Sequence, residues 1–176
     1  MYSEEIKISK DRMPILIGKR GSTKRQIETR TRTKIRIDSK EGDVEILSEE
    51  PYNIYTAKLV VTAIARGFNP ELAIILTRED IGLEIINMPD IIGKNKNKLV
   101  RQKSRIIGTS GRSKKTIEDL TNTTISVHGK TVSIIGHFED IVLARKAIEK
   151  LIQGSKHGNV YRWIEKQDSN KGKFIP

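Results

Sequence analysis

The apolar positions of this chain change period along its length, and they do so twice in the same order. Residues 4–9 alternate polar and apolar, as an edge strand does. Asp11 to Pro14 begins a short helix, since proline suits the first helical turn; it carries Ile15, Leu16 and Ile17 and stops at Gly18. Beyond Gly21 a second helix is expected, with the hydroxyls of Ser22 and Thr23 available to cap it. Ile35 and Ile37 mark a strand over Arg32 to Asp38, Gly42 a turn, and Val44 to Leu47 the next strand. From Pro51 the spacing of Ile54, Ala57, Val61, Ile64 and Ala65 predicts a helix to about Arg66, ended by Gly67. Asn69-Pro70-Glu71 has the cap, proline and acid of a fresh helix start and opens an apolar, packed connector that holds the two halves in a fixed arrangement.

The second passage starts with a strand at Leu83 to Asn87. Residues 88–104 read as a basic insertion with no counterpart in the first passage, a loop followed by a short helix. A Gly108–Gly111 turn leads to a helix over Arg112 to Leu120. Strands at Thr124 to Val127 and Thr131 to Ile135 flank a His128-Gly129 turn. A closing helix carries Ile141, Ala144, Ile148, Leu151 and Ile152 and stops at Gly154. In the tail, Val160, Tyr161, Trp163 and Ile164 can pack, while Gln167 to Pro176 reads as disordered.

At an offset of ninety residues, Gly18, Gly21, Lys24, Arg25, Ile27, Thr31, Ile35 and Ile37 meet Gly108, Gly111, Lys114, Lys115, Ile117, Thr121, Ile125 and Val127. By the Gly67–Gly154 pair the offset has become eighty-seven. This is an internal duplication. The expected division is a first domain over 1–69, a helical connector over 70–80, a second domain over 81–154 and a tail over 155–176.

Charge sharpens the picture. The 176-residue chain carries a net +11, and residues 10–36 hold ten Lys/Arg against Asp11 and Glu28, while residues 94–115 hold nine and no acid. The rest of the chain is therefore acidic on balance. Positive charge gathered around each Gly-x-x-Gly is the footprint of a polyanion partner. Only eight residues are Phe, Tyr or Trp, and none clusters near the basic stretches, which argues against binders that stack bases on aromatic platforms. The apolar runs fall far short of the ~20 residues that span a bilayer. The acidic N-terminus has no apolar signal core, and with no cysteine the chain has neither disulfides nor thiolate metal sites. A cytoplasmic protein is expected.

Each Gly-x-x-Gly lets the backbone bend and approach a ligand without a Cβ in the way. The following helices hold Lys24-Arg25 and Lys114-Lys115 in their first turns, where cations oppose the helix dipole. A phosphate at the helix start removes that conflict. The loop tips differ: Lys19-Arg20 is doubly basic and Thr109-Ser110 neutral, so the second loop draws its charge from Arg105, Arg112, Lys114 and Lys115. With the basic insertion beside it, this suggests a continuous track along which the two loops do different work. For Ile17, Ile27, Ile35, Ile37 and their counterparts, plain core packing is the better reading than an exposed groove.

Two strand–helix–Gly-x-x-Gly–helix–strand–strand–helix units, with Ile17-Gly18-Lys19-Arg20-Gly21 and Ile107-Gly108-Thr109-Ser110-Gly111, resemble the KH domain in its type I arrangement. The fold class is thus α+β, two type I KH domains in tandem, each a three-stranded sheet with helices on one face. The Ser-Thr-Lys-Arg and Arg-Ser-Lys-Lys that follow the loops, and Gly154-Ser155-Lys156-His157-Gly158-Asn159-Val160-Tyr161, are similar to one branch. That branch is the archaeal relatives of the partner-of-Nob-one (Dim-two) and Krr-one ribosome-assembly proteins. Lys24 and Lys114 depart from the many KH domains that place an apolar residue three positions after the loop.

The resemblance implies a non-catalytic protein that binds single-stranded RNA, 16S rRNA near its 3′ end, as a processing and assembly factor of the small subunit. It also implies partnership with a Nob-one-like endonuclease or another small-subunit assembly or translation factor. The expected RNA-binding residues are Gly18, Lys19, Arg20, Gly21, Lys24 and Arg25 in the first unit. In the second they are Arg105, Gly108, Thr109, Ser110, Gly111, Arg112, Lys114 and Lys115. The alternative is a protein-interaction scaffold whose KH units dock a partner and carry RNA incidentally.

Enzyme signatures are missing. Neither loop continues as a P-loop, and there is no Gly-x-Gly-x-x-Gly. His128, His137 and His157 lack metal-ligand spacing, and Glu49-Glu50, Asp119 and Asp140 read as solvated or helix-end groups, so no catalytic residue, metal or cofactor is expected. Trp163 and Tyr161 read as packing residues more than as base platforms.

Overall fold

The computed structural model describes residues 1–171. The chain forms two compact units, residues 1–81 and 82–176. Each has an α+β fold around one three-stranded antiparallel sheet.

In the first unit β1 (Tyr2–Lys7), β2 (Lys34–Asp38) and β3 (Asp43–Ser48) lie in the order β1-β3-β2. The register pairs Glu4 with Ile46 and Ile35 with Ile46. Val44 and Ile46 of the central strand are fully buried, and α3 (Pro51–Ala65) packs over β1 and β3 through Ile54, Ala57, Val61 and Ile64. The helices α1 (Met13–Ile17) and α2 (Ser22–Thr31) close the same face, contributing Met13, Leu16 and Ile27. Burying these aliphatic side chains stabilises the unit by ~1.5–3 kcal/mol each before chain entropy is counted.

Asn69 caps α4 (Pro70–Ala73) by accepting the N–H of Leu72 at 2.8 Å. A tight 3₁₀ turn over Ile74–Thr77 follows, and Ala73 and Leu76 bury against α2 and α3. The segment read as a connector therefore clusters with the first unit.

The second unit repeats the plan with β4 (Ile81–Asn87), β5 (Thr124–His128) and β6 (Thr131–His137) in the order β4-β6-β5. The hairpin turn is Gly129-Lys130, with His128 still paired to Thr131 in the ladder, one residue later than expected. Over the sheet lie α7 (Arg112–Thr121) and α8 (Phe138–Ile152), whose Ile117, Ala144, Ile148 and Leu151 are fully buried. Phe138 lies across Gly82 of β4: a Cβ there would come within 2.7 Å of its ring.

The expectations for residues 88–104 and for the tail need correction. Residues 88–104 are not a loop with one short helix. They form α5 (Met88–Ile92) and most of α6 (Lys96–Ile107), which runs straight into Gly108. Residues 88–93 do have a counterpart, since Met88-Pro89 to Gly93 repeats Met13-Pro14 to Gly18; the remainder of the segment is the insertion. Gly93 and Gly18 end their helices with the same backbone, φ/ψ 77/−172 and 73/175, each N–H bonded to a proline carbonyl. Finally, residues 167–171 are not disordered but belong to α9 (His157–Lys171), which buries Val160 and Ile164 against α7 and α8; residues 172–176 lie outside the described residues. Val160 and Ile164 are spaced to bury one helical face. Ala73 and Leu76 close the first unit in the same way.

Candidate nucleic-acid interface

The two Gly loops have one backbone conformation. Gly18 and Gly108 stand at φ/ψ 73/175 and 73/176, Arg20 and Ser110 at 53/32 and 53/30, Gly21 and Gly111 at 75/18 and 75/11. Gly18 donates to the Pro14 carbonyl at 2.9 Å and Gly108 to that of Ser104 at 2.8 Å; Gly21 and Gly111 donate back to Gly18 and Gly108. The first glycine is required twice over. Its φ/ψ is nearly closed to L side chains, and a Cβ would reach within 2.7 Å of the backbone nitrogen of Thr23 or Ser113. The last glycine is required only for its left-handed φ, since at Gly111 a Cβ would meet open space.

The expected hydroxyl caps are not formed. Gly21 and Gly111 are the N-cap residues of α2 and α7, and no side chain caps either helix. Thr23 is instead packed against Gly18, and Ser113 is buried beside Gly108. No acid occupies either first turn. Each loop therefore presents a helix start that favours an outside anion acceptor.

The site residues divide by what holds them. Lys19, Arg20 and Arg25 are exposed around the first loop, as are Thr109, Ser110, Arg112 and Lys115 around the second. Arg25 leans back over Gly21. Lys115 is bonded to Asp119 at 2.8 Å, and that hydrogen bond and charge hold its ammonium above the usual lysine pKa.

Lys24 and Lys114 point elsewhere. Lys24 pairs with Glu28 at 3.7 Å, and Lys114 bonds Glu118 at 3.0 Å and the Ile125 carbonyl at 3.0 Å. The two glutamates in turn accept the N–H of Ile35 and Ile125, both at 2.8 Å. These lysines thus sit in a bracket that ties the helix to the open edge of β2 or β5. Strand alternation then turns the N–H and C=O of Ile37 and Val127, two residues along, to the same outer side.

Arg105 is also held. Its guanidinium donates to the carbonyls of Leu151 and Ser155, closing the C-terminal end of α8. In the first unit Arg12 does this for α3, reaching Ile64 O at 2.7 Å and Phe68 O at 2.8 Å. By the ninety-residue offset Arg12 corresponds to Gln102, so the same task has moved one turn along. Sequence spacing could not show that move.

The aliphatics split alike in both units. Ile27, Ile35, Ile117 and Ile125 are buried, whereas Ile17, Ile37, Ile107 and Val127 stay half-exposed beside the loop and edge strand. The inner four are core, and the outer four are only partly covered. Among the described residues no cluster of His, Asp or Glu is arranged to hold a metal, and no helix is long and apolar enough to cross a membrane.

The PNO1 second-KH-domain model, a eukaryotic-type KH domain of type I, matches residues 82–169, and the general KH domain model matches residues 3–63. A KH domain-containing protein of Methanocaldococcus jannaschii is 39% identical over 168 residues, 93% of this chain and 73% of that protein. The pre-rRNA-processing protein PNO1 of Chaetomium thermophilum is 35% identical over 136 residues, 72% of this chain but only 51% of the fungal protein. A chain in the crystal structure of the a/eIF2alpha-aDim2p-rRNA complex from Pyrococcus horikoshii superposes with a TM-score of 0.89 at 47% identity, covering 96% of this chain and 95% of that one.

Proposed function

Because the chain belongs to the tandem KH-domain family of PNO1 and Dim2p, we propose that it is an RNA-binding protein of small-subunit ribosome assembly. It clamps single-stranded RNA through both Gly-x-x-Gly loops, and its target is 16S rRNA near the 3′ end. The observation that carries this reading is the shared loop backbone: tips as unlike as Lys19-Arg20 and Thr109-Ser110 adopt the same φ/ψ. A geometry kept while side chains change serves a ligand that is met by backbone. KH loops clamp about four nucleotides in that way.

In this proposal Lys19, Arg20 and Arg25 neutralise phosphates in the first unit, and Arg112 and Lys115 do so in the second. Lys114 holds the edge strand directly and Lys24 pairs with the Glu28 that does so, and Arg105 fixes the helix end beneath the loop. Ile17 with Ile37, and Ile107 with Val127, receive bases. The pre-rRNA-processing name of the fungal relative and the rRNA in the Pyrococcus complex support rRNA as the target. A Nob-one-like endonuclease, or a small-subunit assembly or translation factor, is the proposed protein partner.

The test is binding of a single-stranded 16S rRNA 3′ fragment by Lys19→Asp/Arg20→Asp and by Thr109→Asp/Ser110→Asp. Both double variants should lose at least roughly tenfold in affinity, because two carboxylates replace the charge or the neutrality of the tip at a phosphate. Wild-type affinity in both would leave the scaffold alternative standing instead.

A further inference from the structure

In the second unit, the side of the Gly loop turned away from β5 carries a cleft of about 720 Å³. Lys114 reaches toward β5, and Arg112, two residues earlier, points to the other side of α7. Arg112 and Gly108 line this cleft together with Arg101 and Arg105 of α6 and His157 and Tyr161 of α9. Three arginines converge there and no carboxylate does. By contrast, Glu139 lines the cleft between α8 and α9, and Glu165 lines a smaller one on α9.

Arg101 and Arg112 are exposed, whereas Arg105 is spent on the end of α8. His157 is fixed by a 2.7 Å bond between its Nε2 and the Arg105 carbonyl, and its ring lies 6.3 Å from that of Tyr161 at 59°. Tyr161 is half-buried: it packs against the core and also borders the cleft. The cleft thus joins two free cations and one aromatic ring to the loop itself. At an offset of eighty-seven residues the first unit has Pro70 and Ile74 in place of His157 and Tyr161, and so offers no ring.

We propose that this cleft is a second nucleotide subsite. It holds the RNA residue adjoining the segment clamped by Gly108–Gly111, with the phosphate between Arg101 and Arg112 and the base against Tyr161. The volume lies within the range of small-molecule sites, and stacking on an aromatic ring suits any base. The subsite rests on the RNA-binding reading above and deepens it: the unit with the neutral loop tip gains charge and stacking from α6 and α9.

The experiment uses the full chain and a fluorescein-labelled 16S rRNA 3′ fragment of roughly twelve nucleotides, about three times the length one KH loop clamps. Anisotropy is compared for Arg101→Ala, Tyr161→Leu and Tyr161→Phe. Leucine keeps the apolar packing and removes the ring; phenylalanine keeps both. Arg101→Ala and Tyr161→Leu should each weaken binding by roughly tenfold, with Tyr161→Phe close to wild type. Ultraviolet crosslinking should recover RNA on the peptide that contains Tyr161, a result that a merely structural tyrosine would not give. Wild-type affinity in Arg101→Ala and Tyr161→Leu, alongside weakened Thr109→Asp/Ser110→Asp, overturns the subsite and leaves the clamp intact. Undiminished binding by Thr109→Asp/Ser110→Asp as well overturns the clamp and the subsite together.

Discussion

Replacing Gly108 by alanine separates the two requirements on the loop glycines. The new Cβ would come within 2.7 Å of the Ser113 nitrogen and 2.7 Å of the Ser113 Cβ, at φ +73°. The nitrogen cannot swing aside, because it belongs to the first turn of α7. Holding alanine in so unfavourable a φ/ψ costs about 1–3 kcal/mol, and overpacking against backbone adds about 1–3 kcal/mol. The expected loss is therefore about 2–6 kcal/mol. Gly111→Ala is the internal control. It shares the positive φ, but its Cβ would meet nothing within 4 Å, so only the left-handed penalty of about 1–2 kcal/mol applies. The chain has one tryptophan, Trp163, packed on the core of the second unit under Lys150. Its fluorescence reports the unfolding of that unit in urea. With a slope of about 2 kcal/mol per molar, Gly108→Ala should lower the midpoint by about 1–3 M, and Gly111→Ala by about 0.5–1 M. Equal midpoint shifts in the two variants would refute the steric argument and reduce the first glycine to a flexible hinge.

Two further outcomes follow from the same geometry. Arg105→Ala should cost the second unit about 2 kcal/mol in urea unfolding followed by Trp163, since it removes charged hydrogen bonds to two carbonyls, while Arg101→Ala should change that stability by less than about 0.5 kcal/mol. Ser110 sits at φ 53°, so Ser110→Gly should be neutral or stabilise by up to about 1 kcal/mol, and β-branched Ser110→Val should destabilise by more than about 1 kcal/mol in the same assay.

The sequence made the architecture legible because the duplication doubles every signal. A helix start, a glycine stop or a two-residue alternation seen once is weak, but the same sign ninety residues on is not coincidence. The elements of both sheets and their three main helices were readable on those grounds. What escaped was tertiary. Residues 167–171 look polar and loose, and only the packing of Val160 and Ile164 on α7 and α8 carries α9 that far. Residues 88–104 look like a basic loop because lysines dominate them, yet Met88 belongs to the core cluster and Leu99 packs against it. The caps failed for a local reason: a left-handed Gly21 or Gly111 takes the N-cap position, and the next residues are already helical. The site residues were legible as types but not as partners. Composition cannot tell a lysine that reaches solvent from one clasped between Glu118 and the Ile125 carbonyl.

That distinction changes how the two loops are weighed. Counted by sequence, Lys24, Arg25, Lys114 and Lys115 are four equivalent cations. In the structure Lys24 and Lys114 complete a bracket that presents the edge of β2 or β5, while Arg25 and Lys115 remain at the surface. The bracket occurs in both units with the same glutamate, the same strand nitrogen and the same 2.8 Å bond. In the proposed clamp, loop backbone and edge strand are therefore the shared parts, and both would meet RNA through peptide groups. Charge is the variable part: the first unit carries it on Lys19 and Arg20, and the second carries it on Arg101 and Arg112 around a cleft that also offers a ring. A duplicated fold can diverge in this way at little cost, because exposed cations on a fixed backbone tune affinity without disturbing the core.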